Sequence, residues 1–389
     1  MKSNIIAGID MGTHSTRVVV AEYGPGMSMP RILGIGKSKT QGVRHGYIIN
    51  TYDATNSIKR AILQAEKTSG IRVKEAYVSV GGIGLQSVIT SGMATFAGYT
   101  TITDEHIDQT IDSAEQSLIN RVHNRKIIHR IPLKFKIDGQ SVLGSPLGLQ
   151  GQKIETRILL ITALEHHFED LVSVMSEAGI DIIDVIAAPL AAGRSALGIQ
   201  QKTAGCALVD IGAETVSMAV FEDNHPISLE VFSIGSTDIT NDIALGFRIP
   251  LDEAEDIKLE QKIKKDFSKN RINEIIEARL SDIFELVDKH LEKIKRSGLL
   301  PAGIVITGGG SPLASMEEFA KATLNLPSRV MTISHLGNNS RKKLTDSSWF
   351  VAYGLCYYAD EMNTHRMGVG RSLKHLKKRV GSLLKELLP

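Results

Sequence analysis

The chain reads as an α/β protein of two lobes, with a smaller α/β segment inserted into the first. Three observations predict this. A strand–turn–strand unit centred on Asp10 recurs 200 residues later around Asp210. Strand–helix alternation breaks near Gly82, gives way to short strands around one helix, and resumes after His166. A buried strand then feeds the triple glycine Gly308, Gly309 and Gly310 ahead of a further helix. At 389 residues the chain exceeds one compact core and suits two domains.

In order, residues 5–9 read as a strand, Asp10-Met11-Gly12-Thr13 as a turn, and 17–22 as the return strand with its β-branched run Val18, Val19 and Val20. Gly24, Pro25 and Gly26 lead to a third strand at 31–37. Residues 54–69 carry helical periodicity, with Ile58, Ala61, Ile62 and Ala65 on one face, and a strand at 73–80 closes on Gly81 and Gly82. The insertion, 82–166, holds strands at 87–92, 125–135, 140–143 and 154–162 and a helix at 103–121. The first lobe, 1–81 and 167–200, ends with a helix at 167–178, a strand at 181–187 and a helix at 190–197. Residues 198–203 read as the crossing between the halves.

The second lobe, 201–236 and 299–360, opens with a strand at 206–209, the turn Asp210-Ile211-Gly212-Ala213 and a strand at 216–221. Helices with lysine-rich and glutamate-rich faces fill 237–298, a pattern of solvated surface. A strand at 303–307 and helices at 313–322 and 350–358 close the globular part. Residues 361–370, with Gly368 and Gly370, read as a linker to a terminal amphipathic helix at 371–389.

Composition narrows the function. Aromatic residues are 5% of the chain, too few for a single-strand nucleic-acid stacking platform, and the net charge of +2 provides no global field toward nucleic acid. The two cysteines, Cys206 and Cys356, sit in apolar runs and read as buried thiols rather than a disulfide framework. The N-terminal stretch reaches Asp10 before an apolar h-region develops, so no signal peptide is expected. No apolar run approaches the roughly 18 residues of a spanning helix. His166 and His167 have no third ligand at sensible spacing and read as surface.

The repeat carries the chemistry. Asp10 to Glu22 and Asp210 to Glu222 share the Asp, the Gly at the third position, an apolar return strand and the closing Glu. Turn N–H groups form an anion-binding concavity, and glycine lets backbone approach a phosphate without a Cβ in the way. Two carboxylates suit the hydration shell of Mg2+, which keeps several waters. The expected nucleotide contacts are therefore Asp10, Gly12, Thr13, Asp210 and Gly212, with Asp10 and Asp210 ordering Mg2+ through water. Gly308, Gly309 and Gly310 alone suit any βα turn or a generic phosphate loop; placed after the two hairpins, they are what an adenosine-binding turn looks like. In this order the three elements resemble the actin/Hsp70/sugar-kinase superfamily of two-lobed ATPases. That resemblance implies a phosphate partner for Arg17 and contacts at the ribose and base for Gly235, Glu255 and Lys258.

A closer resemblance lies in the insertion and the second lobe. His129-Arg130-Ile131-Pro132, Asp138-Gly139-Gln140 and Pro146-Leu147-Gly148-Leu149-Gln150-Gly151 are similar to the inserted subdomain of the bacterial cell-division FtsA family. Thr240-Asn241-Asp242-Ile243-Ala244, Ala254-Glu255-Asp256-Ile257-Lys258 and Ile276-Glu277-Ala278-Arg279-Leu280 resemble the same family. In the tail, Leu373, Leu376, Val380, Leu383, Leu384 and Leu387 share one helical face beside Lys377, Lys378 and four further basic residues. Basic residues attract an anionic leaflet at about 1 kcal/mol each, and the leucines insert. The family resemblance implies ATP and Mg2+ as cofactors and self-assembly into filaments on the cytoplasmic face of the inner membrane at the septum. It also implies binding of the FtsZ C-terminal peptide, with Arg279 at a matching position and Arg271 nearby, and later division proteins as partners. Residues 237–298 become the ATP lid and partner-binding subdomain on this reading.

Departures are specific. Ala213 and Glu214 stand where the family shows more glycine, which puts a carboxylate beside the expected γ-phosphate unless it points outward. Ser236 replaces a common second glycine after Gly235. Ala188 precedes Pro189 where related ATPases place a Gln or Glu that orients the attacking water, so slow or negligible hydrolysis is expected. A pilus-assembly scaffold of related architecture and a small-molecule kinase of the same fold are the alternatives. The kinase would need a catalytic base for which no convincing residue stands out.

Overall fold

A computed structural model describes residues 4–24, 26–119, 123–260, 268–313, 315–336 and 343–359. The linker at 361–370 and the amphipathic segment at 371–389, including Leu373, Leu376, Lys377, Lys378, Val380, Leu383, Leu384 and Leu387, lie outside the described residues.

The first lobe runs β1 Asn4–Met11, β2 Ser15–Tyr23, β3 Arg31–Lys39, the short pair β4 Val43–Arg44 and β5 Tyr47–Ile48, α1 Thr51–Ser69 and β6 Glu75–Val80. The insertion follows as β7 Gln86–Thr101, α2 Asp104–Ile119, β8 Arg125–Ile137, β9 Gln140–Val142 and β10 Gln150–Leu164. The chain returns through α3 Glu165–Glu177, β11 Asp181–Ala187, α4 Ala188–Ala196 and α5 Ile199–Ala204. The second lobe is β12 Cys206–Ile211, β13 Val216–Glu222, β14 His225–Phe232, α6 Ser236–Phe247, α7 Leu251–Lys258, α8 Lys269–Lys293, β15 Ile304–Thr307, α9 Met316–Leu324, β16 Ser328–Val330 and α10 Phe350–Leu355.

The two lobes repeat one sheet. The first has the order β11-β6-β1-β2-β3, and the second β16-β15-β12-β13-β14. In each, the opening hairpin is antiparallel and its first strand pairs in parallel with the later strand on the other side. Register survives the repeat, because Asp10 pairs with Arg17 and Asp210 with Ser217. These central strands are buried on both faces, as parallel pairing under helices requires.

Local signals explain the helix edges. Asn50 caps α1 by accepting from Asp53 N at 3.1 Å, which starts the helix three residues before the apolar stripe at Ala54. Gly70, at φ 71°, ends it in the left-handed conformation. The inserted sheet, β7-β10-β8-β9, uses both faces of β10: Ile158 and Leu160 pack with Ile111, Ala114 and Leu118 of α2, while Leu159 and Ile161 join the first-lobe core.

Three expectations are corrected. Residues 198–203 are not an open crossing; Gly198 leads into α5, and Gln201 Oε1 accepts from Gly198 N at 3.0 Å to close its first turn. Asp10 and Asp210 lie within strands rather than in the turns, because the ladder carries on through Met11 and Ile211. The insertion's first strand continues well past residue 92, to Thr101, paired along β10. Strands β14 and β16 complete the second sheet beyond what the sequence reading located. Cys206 and Cys356 are buried free thiols, as expected.

The second lobe is seated on the first through α4 and α10. A Cβ on Gly354 would come within 1.8 Å of the Ala191 carbonyl, and one on Gly8 within 2.4 Å of the Ala352 carbonyl. Gly354→Ala is therefore expected to destabilise the protein by about 2 kcal/mol or more, read as a fall in the urea midpoint at unchanged slope.

Candidate functional site

The ends of the two equivalent strands converge. Asp10, at the end of β1, is buried and accepts a hydrogen bond from Ser79 Oγ of β6 at 2.7 Å. Burial raises its pKa, opposed by Arg17 and by the Ser79 hydroxyl. Asp210 occupies the same place in the second lobe, and burial together with the charge of Asp10 pushes its pKa up to about 7. Arg17 is the shared countercharge. Burial lowers its pKa, while Asp10, Asp346 and Asp210 hold it charged. Its guanidinium donates to the Ser15 carbonyl at 3.3 Å and lies 5.9 Å from the centre of the Trp349 ring.

Asp346 arrives from the far end of the second lobe. Burial would raise its carboxyl, but hydrogen bonds from Ser348 and Thr345, with Arg17 nearby, take it below the usual carboxylate range. Its Oδ1 accepts from Ser348 N at 2.9 Å and its Oδ2 from Thr345 Oγ1 at 2.8 Å. Ser347 Oγ in turn donates to the Gly308 carbonyl at 2.8 Å, which fixes this segment against the glycine turn.

The glycines do steric work here. Gly308 has φ 95°, and a Cβ on it would sit 2.3 Å from Asp210 Oδ1. A Cβ on Gly310 would meet Ile211 Cγ2 at 2.7 Å, while its N–H donates to the Ile211 carbonyl at 2.9 Å. Gly309 is exposed. Gly235 lies against the second hairpin turn, where a Cβ would fall 2.4 Å from the Ala213 carbonyl. Ser236 N donates to the Gly212 carbonyl at 2.9 Å and Thr237 N to the Ala213 carbonyl at 2.8 Å, so the start of α6 is stapled to that turn. Gly212 N donates to Thr215 O at 2.8 Å and closes the turn itself.

Lys258 and Glu255 come to the same end of α6. Lys258 Nζ, on a buried side chain, donates to Ser236 O at 3.1 Å and Thr240 Oγ1 at 2.8 Å and pairs with Glu255 Oε2 at 2.7 Å. In the first turn, Thr13 Oγ1 accepts from Gly46 N at 3.1 Å, and a Cβ on Gly12 would be a tight fit, 3.1 Å from Ser15 O. Ala188 stands at the start of α4 beside Gly81. The preceding residue, Ala187, donates its N–H to Nε2 of buried His129 at 2.9 Å, and burial lowers that imidazole to about 4, which keeps it a neutral acceptor.

The arginines expected to bind a partner are engaged elsewhere. Arg279 on α8 makes a forked pair with Asp242 of α6, at 2.7 and 3.0 Å, and meets Asp282 at 3.2 Å. Arg271 pairs with Glu274 at 3.0 Å on the exposed start of α8. His167 is half-buried and stacks on Tyr47 with ring centres 3.5 Å apart, while His166 is exposed. Among the described residues, no cluster of three or more His, Cys, Asp or Glu could grip a metal directly.

Ser79, Asp346 and Trp349 belong to the cluster but were not singled out in the sequence. Ser79 had a readable signal, a polar residue at the end of a buried strand just before Gly81 and Gly82. Asp346 and Trp349 had none, since they enter only through tertiary packing.

The raised Asp210 carboxyl makes stability pH-dependent. The folded state holds its proton where the unfolded chain has lost it, so this contribution is complete below about pH 4 and is lost as pH rises toward 7. Asp210→Asn, which keeps the shape without the charge, is expected to be more stable than the parent at pH 8, by on the order of 2 kcal/mol. The difference should vanish below about pH 4 in urea titrations at each pH.

Comparison with known proteins agrees with this architecture. A family model described as cell division protein FtsA matches residues 207–354, and one described as the SHS2 domain inserted in FtsA matches 82–162. Together they cover more than half of the chain. The cell division protein FtsA of Bacillus subtilis is 28% identical over 92% of this chain and 84% of its own length. That of Borreliella burgdorferi is 28% identical over 93% and 92%, and that of Escherichia coli 25% over 98% and 96%. In fold, the chain is similar to the PilM–PilN type IV pilus biogenesis complex, with a TM-score of 0.66, 17% identity and coverage of 90% and 97%. It is also similar to MreB5 of Spiroplasma citri bound to AMPPNP, with a TM-score of 0.54, 14% identity and coverage of 94% and 98%. The chain has the actin-like ATPase fold and belongs to the family of the bacterial cell-division protein FtsA.

Proposed function

We propose that this chain is an ATP-binding, actin-like scaffold that assembles on the cytoplasmic face of the inner membrane at the septum and tethers FtsZ filaments there. The observation that carries the nucleotide part is the meeting of Asp10 and Asp210 around Arg17 at the ends of two equivalent strands. The site suits Mg-ATP on its own chemistry. Arg17 Nε is buried with no hydrogen-bond partner among the described residues, and two carboxylates raised by burial, Asp210 further by the charge of Asp10, would favour a cation beside them. Asp10 and Asp210 would order the waters of Mg2+, while Gly12, Thr13, Gly212 and Arg17 meet the phosphates. Gly235, Glu255 and Lys258 would flank the ribose and adenine, and Gly308, Gly309 and Gly310 back the base.

When bound, ATP supplies a terminal phosphate whose negative charge both lobes can grip. This chain's residues favour retaining that phosphate over cleaving it, because Ala188 brings no polar group to orient a water and neutral His129 is already committed to Ala187 N. Residues of both lobes, Asp10, Gly12, Thr13 and Arg17 from the first and Asp210 and Gly212 from the second, would then hold the nucleotide and couple the lobes through it. Asp10→Ala is expected to weaken Mg-ATP binding roughly a hundredfold in calorimetric titration; unchanged affinity sinks the assignment.

The membrane and FtsZ roles rest on the family and on the charge pattern of 371–389. Among the described residues, no helix is long and apolar enough to cross a membrane. Arg279 and Arg271 on α8 are the residues proposed to receive the acidic groups of the FtsZ C-terminal peptide, with Arg279 exchanging Asp242 for the peptide. On anionic lipid monolayers with Mg-ATP, electron microscopy is expected to show filaments that are absent when 371–389 are deleted. Filaments that persist on lipid without that segment would remove the tether.

A further inference from the structure

The turn that departs from its family carries a contact between the lobes. Glu214, at the second hairpin turn, does not face the carboxylate cluster. Its Oε2 accepts from His45 N at 2.7 Å and its Oε1 pairs with Arg44 Nε at 3.0 Å. The Glu214 carbonyl lies 3.2 Å from His45 Nδ1. Arg44, His45, Gly46 and Tyr47 form the tip of the β4–β5 pair in the first lobe. The same tip is anchored to its own lobe, through Gly46 N to Thr13 Oγ1 at 3.1 Å and through Ile83 N to His45 O at 3.3 Å.

The backbone is committed to this path. His45 has φ 48° and Gly46 φ 77°, and a Cβ on Gly46 would lie 2.4 Å from the Cα of Gly82. One short loop therefore touches both hairpin turns and the end of β6. The two arms differ in weight. The Arg44 side chain is 63% exposed, so its ion pair is screened and worth little, whereas the Glu214 side chain is only 16% exposed and its bond to His45 N is charge-assisted and sheltered.

From this geometry we infer that Glu214 is a positioning residue, which straps the 44–47 loop of the first lobe across the two phosphate-binding turns and so slows nucleotide release. A glycine at 214 would leave only the carbonyl contact to His45. The carboxylate adds a bond that must break before the lobes separate. Its negative charge is spent on Arg44 and His45 N–H rather than on the phosphate side, which removes the electrostatic objection to an acidic residue in this turn. The inference rests on the nucleotide reading above.

Release of a fluorescent ATP analogue from the full chain in excess Mg2+, followed by stopped flow against unlabelled ATP, reads the strap. Glu214→Ala is expected to speed release about tenfold, Arg44→Ala less than about threefold, and the double variant no more than Glu214→Ala alone. Glu214→Gln keeps an acceptor for His45 N without the charge and is expected to fall between. That ordering is not one a purely structural role produces. A Glu214→Ala protein with parental melting temperature and parental release rate would overturn the inference. Paired spin labels at Gln64→Cys and Glu285→Cys separate this failure from failure of the nucleotide reading. If the parent does not bind the analogue, that reading falls by itself. The strap then stands if Glu214→Ala lengthens or broadens the distance between the lobes, and falls if the distribution is unchanged.

Discussion

Two carboxylates of like charge, Asp10 buried and Asp210 half-buried, sit close enough to act on each other, and one guanidinium, Arg17, acts on both. Burial raises both acids and the charge of Asp10 raises Asp210 further, and Arg17 answers only part of that cost. Such an arrangement survives only on rigid supports. Here each acid is the last residue but one of a strand at the centre of a five-stranded sheet, a strand paired on both sides and largely buried on both faces. The closeness of α4 and α10, where glycine and alanine let backbones touch, keeps the two sheets from drifting apart. The cleft is thus a place where electrostatic stability is given up and packing elsewhere holds the loss, a common signature of a binding site.

The two lobes share a sheet and a register, yet they are not chemically equal. The position paired with the acid is Arg17 in the first lobe and Ser217 in the second, so one cation serves both acids. The turns are also restrained differently. The second is stapled by the start of α6 through Gly212 and Ala213, with Gly235 permitting the approach. The first is restrained by the 44–47 loop through Thr13. Glu214 joins these two systems, which makes the acidic substitution part of the coupling between lobes rather than a blemish in a glycine turn.

Much of this was legible in advance, and the reasons are specific. Asp10 and Asp210 were readable because a β-branched return strand, a small turn and an acid recur together at a fixed offset. Gly308 was readable as a turn residue, although its closeness to Asp210 was not. Strand β14 carries a usable signal in the alternation of Ile227, Leu229 and Val231 with Ser228 and Glu230. Strand β16, at three residues, is too short for any period to register. Helix α5 is hidden for a similar reason, being six residues after a glycine.

By itself the sequence determined the duplication, the turn chemistry of each copy, the inserted subdomain and the basic amphipathic character of the last nineteen positions. Those are properties of neighbours along the chain, where spacing and residue type act directly. Only the tertiary structure decided that Ser79, Asp346 and Trp349 join the cluster, that Arg279 spends its fork on Asp242, and that Glu214 turns toward Arg44 and His45. Each of these joins residues from about 37 to more than 300 positions apart. Their meeting follows from how two sheets are set against each other, and no local pattern encodes the distance between lobes.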